Sequence, residues 1–133
     1  MPRLTRISKP LLGMLTALLL GPTVAHADEV LADYIAFIGQ DDLHNSKGTR
    51  LREPWQILRQ DRANYHRFGI SQIGDEWDPL FSDKSNRAVM ENMIRRGSIA
   101  PAAARDIVRG GVMVRITVYD NGTHDYLRAS VSR

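Results

Sequence analysis

Four polar side chains on one predicted helix are the residues whose types and spacing could do chemistry. On a helical wheel of residues 52–67, Asp61 and Arg62 fall inside the apolar arc, and Arg59 and His66 lie at its edge. A charge placed among apolar side chains without a partner is costly, so each of these residues requires a hydrogen-bonding or ionic partner.

Two interpretations of these residues stay open at the level of sequence. In the first, which we favour, Asp61 and Arg62 form a buried ion pair or tie the helix to the acidic loop 75–78. In the second, they line a polar pocket in which Arg62 clamps an anionic ligand, with Asp61 and His66 as proton-handling neighbours. The second interpretation makes Arg59, Asp61, Arg62 and His66 candidate ligand-binding residues.

Two further arginines are predicted to lie directly opposite each other on a C-terminal β-hairpin. Like charges in this position repel unless an anion or a carboxylate neutralises them. Arg115 and Arg128 are therefore candidate ligand-binding residues as well, and splayed, solvated side chains are the alternative.

Other kinds of site find little support in the sequence. Residues 28–133 contain three histidines, no cysteine and no H-x-x-x-H or EF-hand spacing, so we expect no metal. The chain has no G-x-S-x-G motif and no glycine-rich phosphate loop. We expect no cofactor, and the sequence assigns no catalytic residue.

Three helices are predicted to position the candidate residues. The first runs from about residue 52 to 67 and ends at Gly69. The second spans about residues 84–96, with Ser82 or Asp83 as its N-cap, and the third covers Pro101–Arg109 before a pair of glycines.

Two regions of the sequence favour strands. Residues 31–38 are apolar and rich in aromatic and β-branched side chains, which indicates a strand buried on both faces, with a short helix as the alternative. Near the C-terminus, apolar residues alternate on both sides of Asn121-Gly122, the dipeptide that a two-residue type I′ turn requires. This turn would pair Ile116 with Leu127, Val114 with Ala129, Val112 with Val131 and Arg115 with Arg128. The predicted fold class is α+β: about three helices packed on a small two- or three-stranded antiparallel sheet with a C-terminal β-hairpin.

The first 27 residues are typical of a cleavable secretion signal. A basic start is followed by the apolar stretch 11–20, a Gly-Pro break and Ala25-His26-Ala27, which signal peptidase accepts. The apolar stretch is shorter than the about 20 residues that cross a bilayer. We therefore expect a periplasmic or secreted protein whose single globular domain comprises residues 28–133, without a stable membrane anchor after cleavage.

The predicted cleavage changes the charge of the protein. The full chain carries 18 basic and 15 acidic residues, and all three excess cations, Arg3, Arg6 and Lys9, lie in the signal. The remaining chain is formally neutral, which removes the argument for nucleic-acid binding that a basic isoelectric point would give. With no cysteine in the chain, the domain has no disulfide and no thiol chemistry.

Three stretches of the middle third resemble a known group of sequences. Residues 45–51, 57–69 and 74–78 are similar to a family of small uncharacterised exported proteins of proteobacteria. The resemblance implies an exported protein with a shared fold and no particular activity. From the residues themselves we expect a non-catalytic domain that binds a partner protein or a small anionic ligand. The alternative is a small periplasmic hydrolase or lyase that uses Asp61, Arg62 and His66.

Overall fold

The computed structural model describes residues 20–22 and 27–132 of the chain. Most of the predicted signal peptide, residues 1–19 and 23–26, lies outside these described residues. Among the helices of the described part, none has the length and apolarity that crossing a bilayer requires.

The described chain has one long strand near its start, most of its helices in the middle and two long strands at its end. Strand β1 is followed by one turn of 3₁₀ helix and by helix α1, after which come two short helices, a two-residue strand, a fourth helix and two long strands. In chain order the elements are β1 (Glu29–Ile38), the 3₁₀ turn (Gln40–Leu43), α1 (Pro54–His66), α2 (Lys84–Ala88), α3 (Met90–Arg96), β2 (Ser98–Ile99), α4 (Pro101–Arg109), β3 (Val112–Asp120) and β4 (Asp125–Ser132).

The sheet is mixed and has four strands in the order β1-β3-β4-β2. The α+β class is confirmed, but the predicted antiparallel sheet of two or three strands is wrong. Strand β1 pairs with β3 and β3 with β4, both antiparallel, whereas β2 runs parallel to β4. A two-residue strand has no alternation to detect, so only its docking against β4 defines it.

The helix predicted over residues 84–96 is divided in two. Val89 adopts φ −92° and ψ 5°, outside helical geometry, and separates α2 from α3. The side chain of Asp83 caps α2 by accepting a hydrogen bond from the backbone N–H of Ser85 at 2.7 Å. Helix α4 spans Pro101–Arg109, as the sequence predicted.

The predicted register of the hairpin is wrong by two residues. Ile116 lies opposite Ala129 and not Leu127, and Arg115 lies opposite Ser130 and not Arg128. The turn holds four residues, 121–124, because the Asn121 side chain accepts hydrogen bonds from the N–H groups of Thr123 and His124. Gly122 alone takes a positive φ there, so the type I′ turn does not form. A slip of two keeps every side chain on its predicted face.

Strand β1 is buried on one face only, which corrects the prediction of burial on both. Tyr34, Ala36 and Ile38 lie fully in the core, while the alternate side chains Asp33 and Ile35 lie on the outer face. The helices cover the inner face alone, against the buried side chains of β3 and β4. The core therefore sits between one face of the sheet and helices α1, α3 and α4.

Carboxylates cover the free edge of β1. The backbone N–H groups of Ile35, Phe37 and Gly39 donate to Glu76 Oε1 at 2.9 Å, Asp75 Oδ1 at 2.7 Å and Asp42 Oδ2 at 2.9 Å, respectively. An edge strand with unpaired amides invites pairing with another chain, and these side chains occupy the amides instead. The acidic loop 75–78 is thus docked on the sheet.

Candidate functional site

Helix α1 buries the charged pair that stood out in the sequence. The Arg62 side chain is fully buried, and its Nε donates to Asp61 Oδ2 at 2.8 Å. Its Nη1 donates to Asp78 Oδ2 at 3.0 Å and to the backbone carbonyl of Glu76 at 2.9 Å. Arg62 therefore joins α1 to the acidic loop, which is the first of the two interpretations of the sequence.

Two tyrosine rings enclose the Arg62 guanidinium. Its Cζ lies 4.3 Å from the ring centroid of Tyr34 and 4.6 Å from that of Tyr65. Arg62 Nη2 and the Tyr34 hydroxyl are both buried without a hydrogen-bond partner among the described residues. The faces of the two rings supply the attraction that this nitrogen lacks from oxygen acceptors.

His66 and Asp78 complete this cluster. His66 Nε2 hydrogen-bonds Asp78 Oδ2 at 2.6 Å, and Asp78 Oδ1 accepts the backbone N–H groups of Leu80 and Phe81. Burial acts to raise the pKa of Asp78, but the bonds from His66, Phe81 and Arg62 together hold that pKa below its ordinary value. Asp78 is therefore the ionised partner of Arg62.

The pKa of the Asp61 carboxyl is shifted in the opposite direction from that of Asp78. Burial raises the pKa of its carboxyl to about 8, against the attraction of the neighbouring Arg62 charge. A cluster with one cation thus holds one strongly ionised carboxylate and one carboxyl that readily keeps its proton.

A second group of charges lies in a groove between α1 and α2, with a volume of about 190 Å³. Ala63 and Ala88 provide small side chains between the two helices, and the remaining residues are long and polar. They are Arg59, Gln60 and Arg67 from and beside α1, and Lys84 and Arg87 from α2. Arg59, Ala63 and Arg67 repeat every four residues and so follow one face of the helix and its C-cap.

None of the four cations of this groove has an ion-pair partner within 4 Å among the described residues. Arg59 stacks on Trp55 with its Cζ 5.1 Å from the ring centroid, and Arg67 stacks on Phe68 at 5.0 Å. Arg87 Nη1 donates to the backbone carbonyls of Phe81 and Ser82. Rings and carbonyls hold three guanidinium groups in place, and no carboxylate lines the groove.

Asp83 directly precedes Lys84 of the groove and is the N-cap of α2. Its carboxylate is bonded to the side chain and backbone of Ser85, which lower its pKa, and the Arg87 charge adds to that effect. The carboxylate is thus committed to capping α2. The groove keeps an excess of positive charge that an anion would neutralise.

The predicted pair of Arg115 and Arg128 does not form a site. Arg115 binds Asp33 of β1 through two hydrogen bonds, Nε to Oδ1 at 3.0 Å and Nη2 to Oδ2 at 2.5 Å. Arg128 lies over the stacked rings of Tyr119 and Tyr126, at 5.3 and 5.5 Å. Both arginines lie on the outer face of the sheet, whereas α1 packs on the inner face.

The six predicted site residues thus fall into three places. Asp61, Arg62 and His66 share the buried cluster, Arg59 lines the basic groove, and the two hairpin arginines lie on the opposite side of the sheet. Sequence reasoning missed Arg67, Lys84 and Arg87. The spacing of Arg59, Ala63 and Arg67 was visible, but the contribution of α2 depends on helix packing.

A metal centre has no support from the described part of the chain, where no three histidine, aspartate or glutamate side chains come together in a metal-binding group. His44 bonds the backbone of Gln40, His66 bonds Asp78, and His124 lies near Asn121 in the hairpin turn.

Comparison with known proteins gives no relative from which to transfer a role: no family model, no curated protein and no solved structure matches the chain.

Proposed function

We propose that this protein is an exported, non-catalytic domain that binds a small anionic ligand in the groove between α1 and α2. The observation that carries the proposal is the set of four cations, Arg59, Arg67, Lys84 and Arg87, without an ion-pair partner in the described chain. Arginine forks recognise phosphate and carboxylate groups through paired hydrogen bonds.

The positions of the arginines support binding over random surface charge. Stacking on Trp55 and Phe68 fixes Arg59 and Arg67, and backbone carbonyls fix Arg87. Groups that are already held lose little conformational freedom when a ligand binds, which favours affinity. A groove of about 190 Å³ suits one anionic group and not a polymer.

The lining of the groove favours binding without catalysis. Its residues are arginine, lysine, glutamine and alanine, so a carboxylate, imidazole or hydroxyl for acid–base or nucleophilic chemistry is missing from the lining. The alternative, a hydrolase or lyase based on Asp61, Arg62 and His66, requires substrate to reach side chains that are almost fully buried. The geometry supports a structural role for these three residues.

Calorimetric titration with inorganic phosphate at low ionic strength tests the proposal. We expect phosphate to bind the wild-type protein. We expect its affinity for the double variant Arg59→Gln/Arg67→Gln to be lower by about tenfold or more. Arg96→Gln, at an exposed position at the end of α3, is the matched control and should bind like wild type.

Thermal melting separates loss of the site from loss of the fold. Without phosphate, the double variant should melt at the same temperature as wild type or slightly higher, because removing two like charges relieves repulsion. Absence of phosphate binding to wild type, or equal affinity in all three proteins, would refute the anion site.

Contact with a partner protein is a second candidate, favoured by one exposed apolar side chain on the docked acidic loop and one just before it. Ile73 is 99% exposed and Trp77 is 65% exposed, while the neighbouring Asp75 and Glu76 carboxylates point to β1. A photo-crosslinking residue at position 73 should give one discrete protein adduct in producing cells, and one at position 96 should give none. Identical adducts from both positions would exclude this surface.

A further inference from the structure

A larger cavity of about 390 Å³ adjoins the basic groove across helix α1. Gln60 lines both spaces, and the stacked neighbours Arg67 and Phe68 line the groove and the cavity, respectively. The remaining lining comes from the 3₁₀ turn, the loop after it and the end of α1. It comprises Gln40, Asp41, His44, Asn45, Ser46, Asn64 and Ile70.

The two spaces meet at Gln60, which lines both of them. Arg59 and Ala63 form one row along α1 that Arg67 continues at the C-cap, and Gln60 and Asn64 form the adjacent row. Phe68 follows directly after the C-cap. Side chains of adjacent rows are separated by one step of 100° around the helix, which is roughly 10 Å at the helix surface. One small molecule of that length can therefore occupy both spaces.

The polar groups of the cavity suit hydroxyl groups. The Asp41 carboxylate accepts hydrogen bonds, and the Ser46 hydroxyl both donates and accepts them. The Nδ1 of His44 bonds the backbone of Gln40, and its Nε2 takes no part in that bond. Asn64 is not available, because its amide donates to Asp42 and its carbonyl accepts from Gln60. A mixture of donors and acceptors matches a polyhydroxylated molecule, whose every hydroxyl donates and accepts.

Two apolar side chains stand beside these polar groups. Phe68 and Ile70 are 48% and 40% exposed in this cavity wall, although both are large and apolar. The C–H face of a sugar ring is the apolar part of an otherwise polar molecule, and it packs against such side chains. Burial of this face removes apolar area of both partners from water.

The charges of the two spaces fix the direction of a bound molecule. The groove carries four cations, whereas the cavity carries the Asp41 carboxylate and no lysine or arginine in its lining. An anionic group is attracted to the groove and repelled from the cavity, so the ligand must be charged at one end and neutral at the other.

We infer that the ligand is an anionic saccharide, with its phosphate, sulfate or carboxylate group in the groove and its sugar ring in the cavity beside Phe68 and Asp41. This inference rests on the proposed anion site and adds the chemical class of what it carries. A molecule with an anionic group at each end should bind poorly, because the Asp41 carboxylate of the cavity repels the second anionic group.

Titrations with matched probes test the inference. The probes are inorganic phosphate, the 6-phosphates of glucose, galactose, mannose and N-acetylglucosamine, the four free sugars, and adenosine monophosphate. We expect at least one sugar phosphate to bind about tenfold or more tightly than inorganic phosphate, and the free sugars to bind too weakly to measure.

Variants of the cavity separate the two parts of the site. Asp41→Ala and Ile70→Ser, which change the cavity and leave the stacking of Arg67 on Phe68 in place, should lower the affinity for the best sugar phosphate to that for inorganic phosphate. Both variants should leave the affinity for inorganic phosphate unchanged. Glu29→Ala, at an exposed position on β1, is the control and should behave like wild type.

The outcomes of these titrations distinguish the saccharide inference from the proposed anion site on which it rests. If phosphate binds and no sugar phosphate binds at least about tenfold more tightly, the anion site stands and the saccharide is wrong. Tighter binding of adenosine monophosphate than of every sugar phosphate would also overturn the saccharide. If neither phosphate nor any sugar phosphate binds, both fail.

Discussion

At the scale of single residues, the buried cluster of α1 is asymmetric. Arg62 has contacts with Asp61, Asp78, the Glu76 carbonyl and two rings, whereas Asp61 has a carboxyl whose pKa is raised to about 8 by burial. Arg62 is the residue around which the others are arranged. Both carboxyl groups accept a hydrogen bond from Arg62. Asp78 also supplies the negative charge that neutralises the arginine, whereas Asp61 readily keeps its proton.

The raised pKa of Asp61 predicts a dependence of stability on pH. Between the ordinary pKa near 3.8 and the folded value of about 8, the folded protein binds a proton at Asp61 that the unfolded chain has lost. This contribution is complete below pH 3.8 and is lost as pH rises to 8, by up to about 1.4 kcal/mol per pH unit. The neutral variant Asp61→Asn lacks it.

We therefore expect the melting temperature of Asp61→Asn, relative to wild type, to rise steadily from pH 5 to pH 8. Measuring the difference between the two proteins cancels the titration of Asp42 and Asp78, whose pKa values are also shifted. A difference that stays constant across this range would mean that Asp61 is ionised throughout.

Removing Arg62 should cost far more than removing Asp61. Arg62→Met removes the arginine partner of the buried Asp78 carboxylate and the side-chain donor to the Glu76 carbonyl, and we expect a loss of about 3–5 kcal/mol in the free energy of unfolding. Asp61→Asn should not lower that free energy at neutral pH, because the wild-type protein must hold a proton at Asp61 that its unfolded chain has lost.

Urea denaturation of both variants measures this asymmetry, with Arg96→Met as the exposed control. The double variant Asp61→Leu/Arg62→Met should not recover the loss, because Asp78 still lacks its cation. Full recovery in the double variant would show that Asp61 and Arg62 form an isolated pair.

At the scale of elements, the hairpin shows how one side chain sets a register. Asn121 accepts the N–H groups of Thr123 and His124, and its own N–H donates to the carbonyl of His124 at 3.2 Å. These bonds form a four-residue loop in place of the two-residue turn that Asn-Gly usually indicates. The strands keep their faces because the shift of pairing is an even number of residues.

Gly122→Val should destabilise the protein by about 1–2 kcal/mol. Gly122 has φ +87°, a conformation that a β-branched residue adopts only with strain. Chemical denaturation measures the loss, and an NMR contact map of the wild type should show Ile116 beside Ala129. Stability unchanged by the valine would indicate that the turn rearranges freely.

At the scale of the whole molecule, the described N-terminal region contacts the hairpin. The hydroxyl of Tyr126 donates to the Asp28 carboxylate at 2.5 Å, so the residue after the predicted cleavage site contacts the folded sheet. This arrangement is compatible with a new N-terminus at this point, directly before β1.

Processing of the chain provides the test of its proposed export. Mass spectrometry of the protein from the periplasm or the medium should give an N-terminus at Asp28, because Ala25 and Ala27 meet the requirement of signal peptidase. Recovery of the protein in the membrane fraction with residues 1–27 still attached would overturn the proposed localisation.

The sequence by itself determined the elements whose signals are local. The span of α4, the apolar faces of β3 and β4, and the placement of Asp61 and Arg62 within the buried face of α1 all follow from periodicity and caps. Such patterns depend only on residues within a few positions of one another. The absence of disulfides is equally local, because the chain has no cysteine.

Only the tertiary structure decided which distant groups meet. The parallel pairing of β2, the bond from Arg62 to Asp78, the carboxylates on the edge of β1 and the joining of Lys84 and Arg87 to Arg59 and Arg67 link segments far apart in the chain. Each depends on how helices and loops pack over one face of the sheet, which no short-range pattern encodes. The basic groove therefore depends on the packing of α1 against α2. The spacing of residues in the sequence indicates only its α1 side, formed by Arg59, Ala63 and Arg67.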